Sequence, residues 1–91
     1  ANYKITNPEG YAAYPQNVLP TLLACGGEIL AADYESEIIE GEASNVTVVV
    51  KFPSKGAARD WYDSDEYQKI VNSRIDNTEG FLLFADEFKM P

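Results

Sequence analysis

The chain has no histidine and one cysteine, Cys25. A lone thiol cannot close a disulfide within the chain, and without imidazole it is too small a donor set for a zinc site. No histidine stands ready to activate a serine or thiol as a nucleophile. Positive charge is scarce: 7 Lys and Arg face 15 Asp and Glu, for a net charge of −8. Nucleic-acid phosphates and anionic membrane surfaces would repel such a surface. Apolar runs such as Val46 to Val50 are far too short to cross a bilayer. No charged segment followed by an apolar one marks a secretory signal, and a free thiol suits the cytoplasm. No glycine-rich phosphate loop appears, and "DYESEIIEGE" has Ile38 where an EF-hand needs glycine. The expectation is no metal, no cofactor, no nucleic acid and no membrane partner.

What is present is a chain of 91 residues, 45% of them hydrophobic, which is enough for one domain over residues 1–91. A chain this short buries only about 60–65% of its unfolded surface, so oligomerisation is the common route to further burial.

Local signals order the elements. "ANYKIT" alternates as a strand. Asn7 caps a helix that Pro8 opens, and Tyr11, Tyr14, Val18 and Leu22 form its apolar stripe. Pro15 and Pro20 predict a kink, and Gly26-Gly27 a left-handed stop. "EILAADY" and the β-branched "NVTVVVKF" read as strands. Ser54 caps a helix to Tyr62, Ser64 caps a second piece to about Arg74, and "FLLFADEF" closes as a strand. The order β-α-β-β-α-β predicts an α+β, ferredoxin-like protomer: a four-stranded antiparallel sheet with two helices on one face. In the third and last strands both faces look largely apolar. The helix-free face then wants a partner, and a second copy makes a homodimeric α/β barrel.

Two passages hold the candidate chemistry. In "WYDSDEYQKIVNSR", Tyr67, Ile70, Val71 and Arg74 share one inward helix face. A core-facing arginine either complements the helix end and pairs with a carboxylate, or anchors a carboxylate-bearing ligand. Tyr67 could donate a hydrogen bond, and Tyr11, Tyr14, Trp61 and Tyr62 could line an aromatic pocket. Asp33, ending a strand, and Glu40, before Gly41, are the carboxylates that could take a proton if buried beside it. The bland alternative is plain packing for the aromatics, capping for Ser64, and solvation for the acids.

The stretches "CGGEIL", "IIEG", "FPSKGAARDWYDSDEYQKIVNSR" and "FLLFADEF" resemble the domain-of-unknown-function 1330 family over about Pro8 to Phe88. The resemblance implies ferredoxin-like protomers of the dimeric α/β-barrel group, and no assigned reaction. Where that family often carries basic residues, this chain has Glu28, Ala32 and Asp33. The expected function is a pocket for a small carboxylate or aromatic ligand, in a cofactor-free enzyme with Arg74, Tyr67 and Glu40 as its working residues. The alternative is a non-catalytic binding or oligomerisation module.

Overall fold

A computed structural model describes residues 1–89. Strand β1 (Asn2–Ile5) is followed by α1 (Pro8–Tyr11) and α2 (Ala13–Ala24), then by β2 (Glu28–Asp33) and β3 (Val46–Lys51). Helices α3 (Lys55–Asp63), α4 (Asp65–Gln68) and α5 (Val71–Ile75) lead to β4 (Thr78–Phe81). The strands form one antiparallel sheet in the order β2-β3-β1-β4.

Helix ends follow the local signals closely. Ser54 Oγ accepts from Ala57 N at 3.0 Å, and Ser64 Oγ from Tyr67 N at 3.2 Å. At the end of α2, Gly27 N donates to Leu22 O at 2.8 Å and Gly26 N to Leu23 O at 3.2 Å. That double closure needs a left-handed residue, and Gly26 supplies it at φ 75°. Asn7 differs from expectation. Its side chain caps nothing; it donates to Asn77 Oδ1 at 3.1 Å and ties the start of α1 to the end of α5. The break in the first helix falls at Ala12, not at a proline. Pro15 sits in the first turn of α2, where a missing N–H costs little, and Pro20 is carried inside α2. The second helical segment comes in three pieces where two were expected, with Ile70 as the added break.

The helices cover one face of the sheet. Tyr3 and Val46, paired across β1 and β3, pack beneath Tyr11, Tyr14, Trp61, Tyr67 and Val71. The register puts Asn2, Lys4, Thr47, Lys51, Glu28, Asp33 and Glu79 on the opposite face, with only Val49 and Phe81 as large apolar side chains there. This corrects the expectation of two apolar faces. Asn2 even holds a polar cluster on that side, donating to Ser44 O at 2.9 Å and to Thr47 Oγ1 at 3.1 Å.

The last strand is the larger correction. Of "FLLFADEF", only Phe81 lies in β4, and residues 82–89 run on without regular structure. The β1–β4 ladder ends there, with Phe81 opposite Asn2.

Candidate functional site

The open half of the helix-bearing face is a cleft of about 910 Å³. Val18, Leu19 and Leu22 of α2 form one wall, and Ile29, Val48 and Val50 of the sheet another. Leu82 and Phe84 of the C-terminal segment form a third. Charges gather at its exposed rim. Lys51 meets Glu87 at 3.5 Å and Lys55 meets Asp86 at 3.4 Å, both pairs well hydrated.

Tyrosines and one arginine stand at the cleft's polar end. Tyr3 and Tyr11 hydroxyls lie 2.6 Å apart, and Tyr11 reaches Tyr34 at 3.3 Å. A second chain joins Tyr14 to Tyr67 at 2.7 Å, and Tyr67 accepts from Arg74 Nε at 3.4 Å. The guanidinium also lies 5.9 Å from the centre of the Tyr14 ring. Five of these six side chains line the cleft; Tyr67 supports them from behind, beneath Trp61.

Arg74 is only 7% exposed, yet among the described residues it forms no ion pair. Its guanidinium donates a long hydrogen bond to Tyr67 at 3.4 Å. No fully buried side-chain nitrogen among the described residues lacks a partner, so its remaining N–H groups keep contact with cleft solvent. Burial works against the charge of Arg74, but the hydrogen bond to Tyr67 and attraction to Tyr67 and Tyr14 lift its pKa overall. That attraction needs ionised phenols, which exist only in alkaline solution. At neutral pH the guanidinium is a buried cation without a counter-charge among the described residues.

Burial raises the pKa of Tyr11, helped by its bonds to Tyr3 and Tyr34. Burial likewise raises that of Tyr14, beside Tyr67, and that of Tyr3. These hydroxyls are therefore neutral donors at physiological pH, not bases. A cation ringed by phenolic donors in an apolar cleft is suited to hold an anion.

The site residues expected from sequence separate into two groups. Arg74, Tyr67, Tyr14, Tyr11 and Trp61 come together here. Trp61 Nε1 is already engaged with Thr21 Oγ1 at 3.0 Å, and its ring packs 5.6 Å from Phe52. Tyr62 stands on the far side of Tyr67, in a smaller cleft of about 490 Å³ that also reaches Arg74. Glu40 and Asp33 lie elsewhere. Glu40 is exposed in the connection between β2 and β3, and Asp33 Oδ1 accepts from Glu35 N at 2.8 Å in a turn at the edge of the sheet. Two residues at the site had no functional reading in the sequence, Tyr3 and Tyr34. The available signal was strand alternation, which puts Tyr3 on the face of Ile5 and Tyr34 on that of Ala32. Which hydroxyls meet is decided across the sheet.

No group of three or more Cys, Asp or Glu that could hold a metal ion occurs among the described residues. No helix among them is long and apolar enough to cross a membrane. The family model described as Domain of unknown function (DUF1330) matches residues 1–88, and the chain belongs to that family. No curated protein matches it.

Proposed function

We propose that this member of the domain-of-unknown-function family holds a small organic anion at the polar end of its cleft, with Arg74 as anchor and Tyr14, Tyr11 and Tyr3 around it. One observation carries the reading: a guanidinium 7% exposed, in a cleft lining, with no carboxylate partner among the described residues. An uncompensated buried charge is costly, and a bound carboxylate would supply the missing charge with bidentate geometry. Aromatic walls favour a ligand with an apolar or aromatic body.

Binding without catalysis is the favoured form of this reading. A proton-abstracting enzyme needs a base in reach. Glu40 and Asp33 stand outside the lining, Asp86 and Glu87 sit exposed at the rim beside lysines, and the tyrosines hold their protons. The test is a thermal-shift screen of benzoate, hydroxybenzoates and short oxo-acids on the wild type and on Arg74→Met. A true ligand at a hundredfold excess over its Kd stabilises by about 2.7 kcal/mol, an upward Tm shift of many degrees. A hit that persists in Arg74→Met would remove the arginine from the site.

The architectural part of the proposal is a ferredoxin-like protomer in a homodimeric barrel, and Cys25, free in this chain, suits a cytoplasmic setting. Strand order β2-β3-β1-β4 with all helices against one face supports the protomer. The exposed surface supports the dimer: 6374 Å² against about 5,300 Å² for a folded chain of this mass. The excess is of the order that a stable dimer buries on each partner, about 800 Å². Leu23, Leu83, Ile39 and Phe88 are among the exposed apolar side chains. A single monomeric species in light scattering at low micromolar concentration would overturn the dimer.

A further inference from the structure

The chain has two arginines, Arg59 and Arg74, and both line the same cleft. It is the smaller one, about 490 Å³, bounded by α3, α5, β4 and the residues just after β4. Small-molecule sites span about 300–1,000 Å³, so the size suits a small organic ligand. Arg74, Leu82 and Phe84 also line the larger cleft, so the Arg74 guanidinium stands where the two meet.

Charge sets the small cleft apart from the large one. The large cleft carries Asp86 and Glu87 at its rim. The sequence has 15 Asp and Glu, yet among the described residues none lines the small cleft. Arg59 meets Asp63 at 4.0 Å, one helical turn on, with both side chains largely exposed. Such a pair contributes little, and a cation N-terminal to its acid is the weaker order on a helix. Arg59 is therefore not committed to Asp63. The ring of Phe84 positions it, with the guanidinium carbon 5.3 Å from the ring centre. Phe84 stands edge-on to Tyr62 at 6.3 Å, and Tyr62 lies 5.4 Å from Tyr67, which accepts from Arg74. An aromatic wall thus runs from one guanidinium to the other.

Two cations that share a cleft repel each other, and no acid among the described residues of the lining offsets them. An occupant with a negative charge at each end would. Each guanidinium can take a carboxylate through two parallel N–H bonds, and the rings between them offer an apolar surface to the rest of the molecule. We infer that the small cleft is the second half of the anion site and that the ligand is a dicarboxylate. One carboxylate sits on Arg74 at the junction and the other on Arg59, with the body against Tyr62 and Phe84. This ligand class rests on Arg74 holding an anion and adds Arg59 to it.

The test is titration calorimetry with benzoate, phthalate, isophthalate and terephthalate at neutral pH. The three diacids are isomers of equal charge and differ only in the separation of their carboxylates. One isomer should bind wild type at least about tenfold more tightly than benzoate and than its own isomers, the size of one charge-assisted contact. Arg59→Gln should bring that isomer to within about threefold of benzoate while leaving benzoate itself unchanged. Arg59 is exposed, so this variant should keep the wild-type circular dichroism. Lys69→Gln is the control for net charge, since Lys69 is exposed and lines neither cleft; it should leave the preference intact. An equal gain for all three isomers, or an equal loss in Arg59→Gln and Lys69→Gln, would overturn the inference, because either is a field effect without a site. Benzoate binding that vanishes in Arg74→Met, with no isomer preferred by wild type, would leave the anion site standing and remove its second half. No binding of any of the four acids would overturn both.

Discussion

Replacing Arg74 with methionine should make the protein more stable. The side chain is 7% exposed and no carboxylate among the described residues neutralises it. Two contacts favour the arginine. The 3.4 Å hydrogen bond to Tyr67 is long and contributes about 0.5 kcal/mol, at the low end for such bonds. The Tyr14 ring at 5.9 Å adds about 0.5–1 kcal/mol. Against these stands the desolvation of a guanidinium, several kcal/mol for a fully buried ion. Solvent in the cleft still reaches part of the group, which reduces that cost. Methionine fills a similar volume and gains apolar burial, about 1.5–3 kcal/mol if complete. Tyr67 keeps its partner, since the Tyr14 hydroxyl is 2.7 Å away. The net expectation is a gain of about 1–2 kcal/mol, or roughly 4–16 °C in Tm for a domain of this size. Urea denaturation of both proteins at pH 7 measures it directly, with the m-value as check on the unfolded state. A loss of 2 kcal/mol or more would refute the reasoning, because it would make the arginine part of the structural framework. Arg74→Ala would not decide the point, since the cavity alone costs about 2–5 kcal/mol. A residue that lowers stability while facing a cleft is the signature of a site kept for binding.

Three further outcomes follow from particular contacts. Tyr3, Tyr11 and Tyr14 have pKa values raised by burial, so the unfolded chain loses these protons first as pH rises. Their contribution is intact below about pH 10 and declines above it by up to about 1.4 kcal/mol per pH unit for each; tyrosinate absorbance should then rise together with loss of helical circular dichroism, and complete titration of the folded protein would contradict this. Gly80→Ala should lose about 2 kcal/mol or more, because a Cβ there runs into the Asn2 carbonyl and the Tyr3 backbone across the β1–β4 pair; an unchanged urea midpoint would mean that the pair is not formed. Ser64→Ala removes the acceptor for Tyr67 N, as well as its own bond to Trp61 O at 2.7 Å, and should cost about 1 kcal/mol in the same denaturation assay.

Much of this protein is decided locally. Ser54 and Ser64 cap helices because a side-chain oxygen one turn before a free N–H is a geometric fact of the chain. Gly26 stops α2 because a glycine takes the positive φ needed there without strain. The face shared by Tyr67, Val71 and Arg74 follows from helical spacing, even though Ile70 breaks the helix between them. Tertiary structure decided the rest. Whether Arg74 met a carboxylate depended on residues far away in sequence, and it met Tyr67 and Tyr14 instead. Glu40 lies beside apolar residues in sequence, yet its connection stays on the outside. "FLLFADEF" has every local property of a strand, but a strand is a relation between two chains of backbone, and the pairs with β1 end at Phe81. Composition determined that this protein has no histidine chemistry and little positive charge to spend. Only the packing of sheet against helices placed one of its two arginines, nearly buried and without an ion pair among the described residues, beside tyrosine hydroxyls.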